Sequence, residues 1–80
     1  MFWVYVLLNQ KGTMYIGQTG DLAKRLADHN SGNTGYTTKI GGPWKLVYKE
    51  PHETRSLAMK REKELKTGKG REYLKTIIPG

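Results

Sequence analysis

The chain contains no cysteine and no long hydrophobic run, and these absences limit what the protein can be. Without cysteine there is no disulfide framework and no cysteine zinc site. No apolar stretch approaches the ~18 residues of a membrane-spanning helix. The start, Met1–Val4, lacks the basic segment that opens a signal peptide. We therefore expect a cytoplasmic protein that does not act at a membrane.

Acidic residues are also scarce. Seven Asp and Glu stand against fourteen Lys and Arg, which gives a net charge of +7. Cationic side chains gain affinity for nucleic acid by releasing its condensed counterions. Solubility, or binding to another polyanion such as a membrane surface, fits the same charge. On charge alone these interpretations stay open.

The patterning of apolar residues predicts a small α+β domain in the order β-β-α-β-α-α. At 80 residues we expect one domain, residues 1–80, with one modest core. Alternating apolar residues indicate strands, and a spacing of three or four indicates helices. The predicted strands cover residues 2–9, 13–19 and 44–50, and the predicted helices cover residues 21–30, 54–67 and 71–78. In the second helix Glu62 falls on or beside the buried stripe, where a carboxylate needs a partner or a metal.

The first two strands are predicted to form a hairpin closed by a three-residue turn with Gly12 in the left-handed position. This turn pairs Leu7 with Tyr15 and Tyr5 with Gly17. The two tyrosines then lie diagonally on one face, within reach of each other. A two-residue turn would place them on opposite faces, so the inference depends on the turn.

Five side chains are candidates for chemistry on a phosphodiester: Tyr5, Tyr15, Arg25, His29 and Glu62. Arginine suits phosphate because its planar fork donates two hydrogen bonds. A lone carboxylate suits Mg²⁺, which keeps waters and takes substrate phosphate oxygens as ligands. A tyrosine acts as a base only where positive charge lowers its pKa. Each residue alone also has an ordinary structural interpretation: strand tyrosines, a solvated arginine, a histidine at a helix end and a surface carboxylate.

Taken in order, these residues resemble the GIY-YIG nuclease domain family over almost the whole chain. Tyr15–Gly17 matches the second triplet of the motif in full, and Trp3–Tyr5 keeps only the tyrosine of the first. Residues 18–29 are similar to the stretch that supplies the catalytic arginine, and residues 58–66 resemble the helix with the metal-binding glutamate, here Glu62. The resemblance implies a small three-stranded antiparallel sheet flanked by helices. The resemblance extends to small stand-alone bacterial members and to the nuclease domain of the excision-repair C subunit.

The resemblance also implies a division of labour in a metal-dependent endonuclease acting on DNA, in repair or recombination. Tyr5 takes the proton of the attacking water, directly or through His29, and Arg25 stabilises the phosphoryl charge. Tyr15 orients the phosphate or a water. Glu62 holds one divalent metal, Mg²⁺ or alternatively Mn²⁺. The residues expected to contact substrate are Gly17, Thr19, Lys39 and Lys66, with Lys39 in a loop that is equally well a plain surface loop.

Two departures from the family pattern bear on the strength of the activity. The first triplet has Trp3 where the family has glycine, and the tail lacks the late asparagine that some members carry near the metal. A nucleic-acid-binding module with weak or no turnover is therefore the main alternative. A protein-interaction domain that uses its aromatic strands is a third. A domain this small also leaves targeting to a protein partner or a homodimer.

Overall fold

The computed structural model describes residues 1–31 and 43–78. Its elements follow the predicted order β-β-α-β-α-α, which confirms the α+β fold. They are β1 (Phe2–Leu8), β2 (Met14–Thr19), α1 (Leu22–Ser31), β3 (Lys45–His52), α2 (Arg55–Leu65) and α3 (Gly68–Ile77). Within the described ranges, no helix has the length and apolar character needed to cross a membrane. The predicted loop that carries Lys39 lies outside the described residues.

The three strands form one antiparallel sheet in the order β2-β1-β3. The predicted hairpin register is confirmed, because Leu7 pairs with Tyr15 and Tyr5 pairs with Gly17. The turn is fixed by Asn9, whose side-chain carbonyl accepts the amide protons of Lys11 and Thr13. Gly12 has a φ of 84°, the left-handed conformation that favours glycine.

Both faces of the sheet are covered, so successive residues of β1 enter different cores. Even-numbered β1 residues pack under α2 and α3, and odd-numbered ones pack under α1. The first core contains Val4, Val6, Ile16, Ala58, Leu65 and Leu74. The second contains Tyr5, Leu7 and Trp44, with Tyr15, Leu22, Leu26 and Leu46 packed against them. The chemistry-bearing tyrosines therefore belong to the α1 side.

Strand β3 departs from the predicted alternation. Val6 pairs with Tyr48 and Leu7 pairs with Leu46, so Val47 is an extra residue between the two pairs. This bulge turns Leu46 toward the α1 side and Tyr48 toward the α2 side. Strict alternation over the predicted strand, residues 44–50, would have put Leu46 and Tyr48 on one face, and the bulge prevents this. The strand also runs on to His52 and includes Pro51, which an edge strand tolerates.

The junction of α2 and α3 also differs from the prediction, which left residues 68–70, with Gly68 and Gly70, between the two helices. Helix α3 begins at Gly68, three residues earlier than predicted, and the Thr67 hydroxyl caps it by accepting the amide proton of Gly70. A β-carbon on Gly70 would lie 2.2 Å from the Glu64 carbonyl oxygen. Gly70 is therefore a contact between the two helices and not a break.

A polar cluster fastens β3 to α2. The Glu50 carboxylate accepts hydrogen bonds from the Tyr48 hydroxyl, from His52 Nε2 at 2.7 Å and from Arg61 Nε at 3.0 Å. Burial alone would raise the pKa of Glu50, but these donors together lower it below the ordinary value. The carboxylate therefore stays charged and holds the far side of the first core together.

Candidate active site

The centre of the site is a hydrogen bond between Tyr5 and His29. The Tyr5 hydroxyl lies 2.9 Å from His29 Nε2, and the two residues are only 2 % and 3 % exposed. Tyr5 comes from the middle of β1 and His29 from the last turn of α1. Their contact spans 24 positions of the chain, so it exists only because α1 packs across the sheet.

Tyr15 completes an aromatic group with these two residues. Its ring centroid lies 4.7 Å from that of His29 and 6.3 Å from that of Tyr5. The diagonal placement that the hairpin register predicts thus brings the two tyrosines together. Tyr15 is half-buried, so part of its side chain remains accessible to solvent.

Gly17 makes room for the Tyr5 ring. A β-carbon built on Gly17 would lie 2.7 Å from the Tyr5 hydroxyl oxygen and 2.8 Å from Cζ, both closer than real contacts allow. Tyr5 therefore crosses over Gly17 to reach α1. The geometry gives Gly17 a steric role, and its predicted contact with substrate stays a prediction.

Burial and nearby charges keep both partners of the central hydrogen bond neutral. Burial, then Tyr15, raises the pKa of Tyr5 far above its ordinary value; Glu62 adds to this, while Arg25 opposes it. Burial, followed by the Arg25 charge, lowers the pKa of His29. The pair thus consists of a protonated phenol and an unprotonated imidazole. One carries a proton to give and the other has a nitrogen free to take it, depending on the tautomer.

Arg25 and Glu62 approach this pair from two layers of the fold. Arg25 lies one turn before His29 on α1, and its charge acts on both Tyr5 and His29. Glu62 belongs to α2, beyond the other face of the sheet, yet its charge also reaches Tyr5. The structure therefore brings Tyr5, Tyr15 and His29 together, while Arg25 and Glu62 influence Tyr5 through their charges.

Glu62 has an ion-pair partner of its own. Lys66 Nζ donates to Glu62 Oε2 at 2.7 Å, one turn along α2. The Glu62 side chain is 22 % exposed, so the expectation that a carboxylate there needs a partner is confirmed. Lys66 as a substrate contact remains a prediction.

Thr19, the other predicted substrate contact on β2, is buried. Its hydroxyl accepts the Asp21 amide proton and donates to the Asp21 carbonyl, which fixes the entry into α1. Asp21 then caps the helix by accepting the Lys24 amide proton. The structure thus gives Thr19 a role in positioning α1, and a substrate contact remains a prediction.

Sequence analysis missed the clamp that fixes the end of α1. The Asn30 side chain donates to the Trp44 carbonyl at 3.1 Å and accepts the Trp44 amide proton at 2.7 Å. Trp44 in turn lies edge-on to Tyr15 at 6.4 Å. An asparagine directly after His29 was the available signal, because its side chain can bond to backbone where a helix ends.

The donor set fits a single hard cation. Among residues 1–31 and 43–78, no three His, Asp or Glu side chains group to form a protein cage for a metal. Glu62 offers one carboxylate in a cationic neighbourhood. Mg²⁺ accepts such a site, since it keeps several waters and shares substrate phosphate oxygens.

A phenol–imidazole pair beside an arginine and a lone carboxylate, on a β-β-α-β-α-α frame, is a site suited to chemistry on phosphate esters. Residues 1–75 match the GIY-YIG catalytic domain, and the chain belongs to that family.

Small bacterial relatives cover the same length. A UPF0213 protein from Staphylococcus saprophyticus is 40% identical over 78 residues, covering 98% of this chain and 95% of the relative. A UPF0213 protein from Staphylococcus aureus strain Mu3 is 39% identical over 75 residues, covering 94% and 92%. The solution NMR structure of a UPF0213 protein from Bacillus halodurans has a TM-score of 0.58 and 32% identity, covering 95% of this chain and 84% of that one.

Proposed function

We propose that the protein is a metal-dependent endonuclease that hydrolyses phosphodiester bonds in DNA. The observation that carries the proposal is the buried Tyr5–His29 hydrogen bond, with the Arg25 charge beside it. Membership of the GIY-YIG catalytic domain family supports a nuclease-type activity. The net charge of +7 supports a polyanionic substrate.

Proton transfer follows from the neutral state of the central pair. Tyr5 is too weak an acid to exist as phenolate near neutrality, because its pKa is raised. We therefore propose His29 as the final acceptor in the proton transfer. The Tyr5 oxygen takes a proton from the attacking water as its own proton passes to His29 Nε2. The water oxygen forms its bond to phosphorus as the bond from phosphorus to the ester oxygen breaks, and that oxygen leaves as an alkoxide that takes a proton from solvent.

The cations near the Tyr5–His29 pair would stabilise the charge on the phosphoryl group. Arg25 is exposed, so its guanidinium is available to donate to phosphoryl oxygens. Tyr15, whose half-buried side chain reaches solvent, would orient the phosphate or a water. Glu62 would hold a divalent ion, Mg²⁺ or Mn²⁺, which would stabilise charge on the phosphate and the leaving oxygen.

One observation favours the alternative of a binding module without turnover. The Glu62 carboxylate is already paired with Lys66, so a metal has to compete with an ammonium group for it. In that alternative the same basic surface binds nucleic acid but no water is activated. A targeting partner or homodimer, a repair or recombination role and a cytoplasmic location belong to the endonuclease proposal.

The test is cleavage of labelled branched, single-stranded and duplex DNA with Mg²⁺ or Mn²⁺, beside EDTA. We expect Tyr5→Phe to lower turnover by about 10²–10⁴-fold, the range for a lost proton-transfer group. Glu62→Gln is expected to abolish metal-dependent turnover, because it removes the proposed metal ligand. Tyr73→Phe and Glu64→Gln are matched controls, because both residues are exposed and belong to other parts of α3 and α2.

Metal-dependent cleavage that both site variants abolish and both controls keep would support the endonuclease. DNA binding that is unchanged by all four substitutions, with no cleavage of any substrate, would overturn it in favour of the binding module.

A further inference from the structure

One edge of the sheet that the described residues form lies beside the candidate active site. Strand β2 is an edge strand, since the order is β2-β1-β3. A cleft of about 300 Å³ lies along it, lined by Met14, Tyr15, Ile16, Lys66 and Arg71. Tyr15 belongs to the aromatic group of the site, and Lys66 is bonded to Glu62. The cleft therefore begins at the residues proposed to act on the scissile phosphate.

A second cleft continues the first toward the β1–β2 turn. Its volume is about 330 Å³, and it is lined by Leu8, Gly12, Met14, Lys75 and Ile78. Met14 lines both clefts, so the two adjoin at its side chain, and together they are called the path below. The path runs between the hairpin on one side and α3 on the other.

Cations follow this path in order. Arg71 and Lys75 are four residues apart on α3, which places them on the same face of the helix. Both are exposed, and in the part of the chain that the structure describes neither makes an ion pair. Lys66 extends this row of cations to Glu62, the proposed metal ligand.

We propose that Lys66, Arg71 and Lys75 form a track for the phosphate backbone of one nucleic-acid strand, extending from the scissile phosphate to the β1–β2 turn. The track rests on the proposed function, since it takes the phosphates that flank the bond to be cut. Arginine donates to phosphate oxygens through its fork, and lysine acts as a mobile point charge. The apolar Met14 between them offers contact to sugar carbons. Contacts of this kind position a strand without reading its sequence.

The test measures binding without cleavage. In the Tyr5→Phe protein with EDTA, affinity for single-stranded and duplex oligonucleotides is followed as salt is raised. Each phosphate contact contributes about 0.9 to the slope of log K against log salt for duplex DNA and about 0.7 for single strands. We expect Arg71→Ala and Lys75→Ala each to reduce the slope by about that amount, and the double variant by about twice as much.

Lys69→Ala is the matched control, because Lys69 is an exposed cation on the same helix that faces a different cleft, beside Arg61 and Tyr73. It changes the net charge equally and is expected to leave the slope nearly unchanged. Equal effects from Arg71→Ala, Lys75→Ala and Lys69→Ala would overturn the track and leave only a general effect of net charge.

Turnover separates this proposal from the endonuclease itself. In the protein with the unaltered Tyr5, Arg71→Ala is expected to raise KM with little change in kcat. Arg71→Lys is expected to restore much of the lost kcat/KM. Cleavage that persists with an unaltered KM in Arg71→Ala would remove the track and keep the nuclease. Slopes that fall as expected in a protein without cleavage would keep the track and remove the nuclease.

Discussion

Gly17 and Tyr5 occupy one shared space at the residue scale. The tyrosine ring passes where a side chain on the neighbouring strand would stand, and its hydroxyl meets His29 only along that path. Any side chain at position 17 has to displace either the ring or the strand, so the glycine of the Tyr15–Gly17 triplet and the tyrosine of Trp3–Tyr5 are sterically dependent on each other.

Gly17→Ala is expected to cost about 1–3 kcal/mol of folding free energy, the usual penalty for overpacking, and to lower cleavage by moving the Tyr5 hydroxyl. Chemical denaturation and the cleavage assay measure the two effects. The control is a double-mutant cycle with Tyr5→Leu, which shortens the side chain over Gly17. A penalty for Gly17→Ala that is the same in both backgrounds would contradict the shared space.

Arg25 is expected to set the pH range of His29. Its charge contributes to the lowered pKa of His29, after the larger effect of burial. Arg25→Gln should raise that pKa part of the way toward the ordinary value of about 6.5. An NMR titration of His29 in the two proteins measures the change. An unchanged His29 titration would show that the two groups do not interact.

The lowered pKa of His29 also makes the free energy of unfolding depend on pH. The folded state disfavours the protonated His29, so the unfolded chain takes up that proton first as the pH falls. The contribution of His29 to the free energy of unfolding is therefore present above about pH 6.5 and is lost as the pH falls through the folded pKa. In Arg25→Gln, the acidic limb of the pH profile of kcat/KM is expected to move to higher pH, because the pKa of His29 rises.

The geometry of the first hairpin could be predicted, because local rules decide it. The hairpin register follows from Gly12, and it fixes which face Tyr5 and Tyr15 share. The neutral Tyr5–His29 pair was not predictable, because it depends on how deeply α1 buries both groups. The hydrogen bond from Lys66 to Glu62 fits their spacing of one helical turn. It was not predicted, because several lysines near Glu62 could have supplied the partner.

At the scale of the elements, the α2–α3 junction is closed by backbone contact. Gly70 lies against the Glu64 carbonyl and the Leu65 backbone, with no room for a β-carbon. The closeness of these helices is what carries Leu65 and Leu74 into the same core under the sheet. Glycines in a polar run predicted a break because nothing local distinguishes a helix end from a helix contact.

Gly70→Ala is expected to destabilise the fold by about 1–3 kcal/mol or more, because backbone cannot yield as a flexible side chain can. Thermal or urea unfolding measures the loss. Gly68→Ala is its matched control on the same helix, since a β-carbon there meets nothing within 4 Å. That change should be neutral or stabilising by up to about 1 kcal/mol. Equal losses from both would mean that helix contact is not the cause.

The bulge in β3 shows the limit of pattern reading in strands. Alternation correctly indicated a strand over residues 44–50, but the extra Val47 reverses which face follows it. Bulges arise from how a strand fits its neighbour and from the helix above it, so the pattern of one strand does not contain them. Tyr48 consequently joins the Glu50–Arg61 cluster instead of the active-site face.

At the scale of the whole molecule, net charge governs encounter with the substrate. Fourteen cationic side chains against seven acidic ones create a positive field that draws in polyanions at low salt. For the intact protein we expect log K for DNA to fall linearly with log salt, which titrations between about 50 and 200 mM salt can follow. Binding that does not change with salt would contradict both nucleic-acid interpretations and favour the protein-interaction domain.

The two edges of the sheet are protected against self-association in different ways. Strand β3 carries Pro51 and a bulge, both of which interrupt pairing with another strand. Strand β2 has its neighbouring cations instead. Charge protects an edge only while it is unscreened, so concentrated salt, or neutralisation of Arg71 and Lys75, leaves β2 as the edge on which copies of the chain first aggregate.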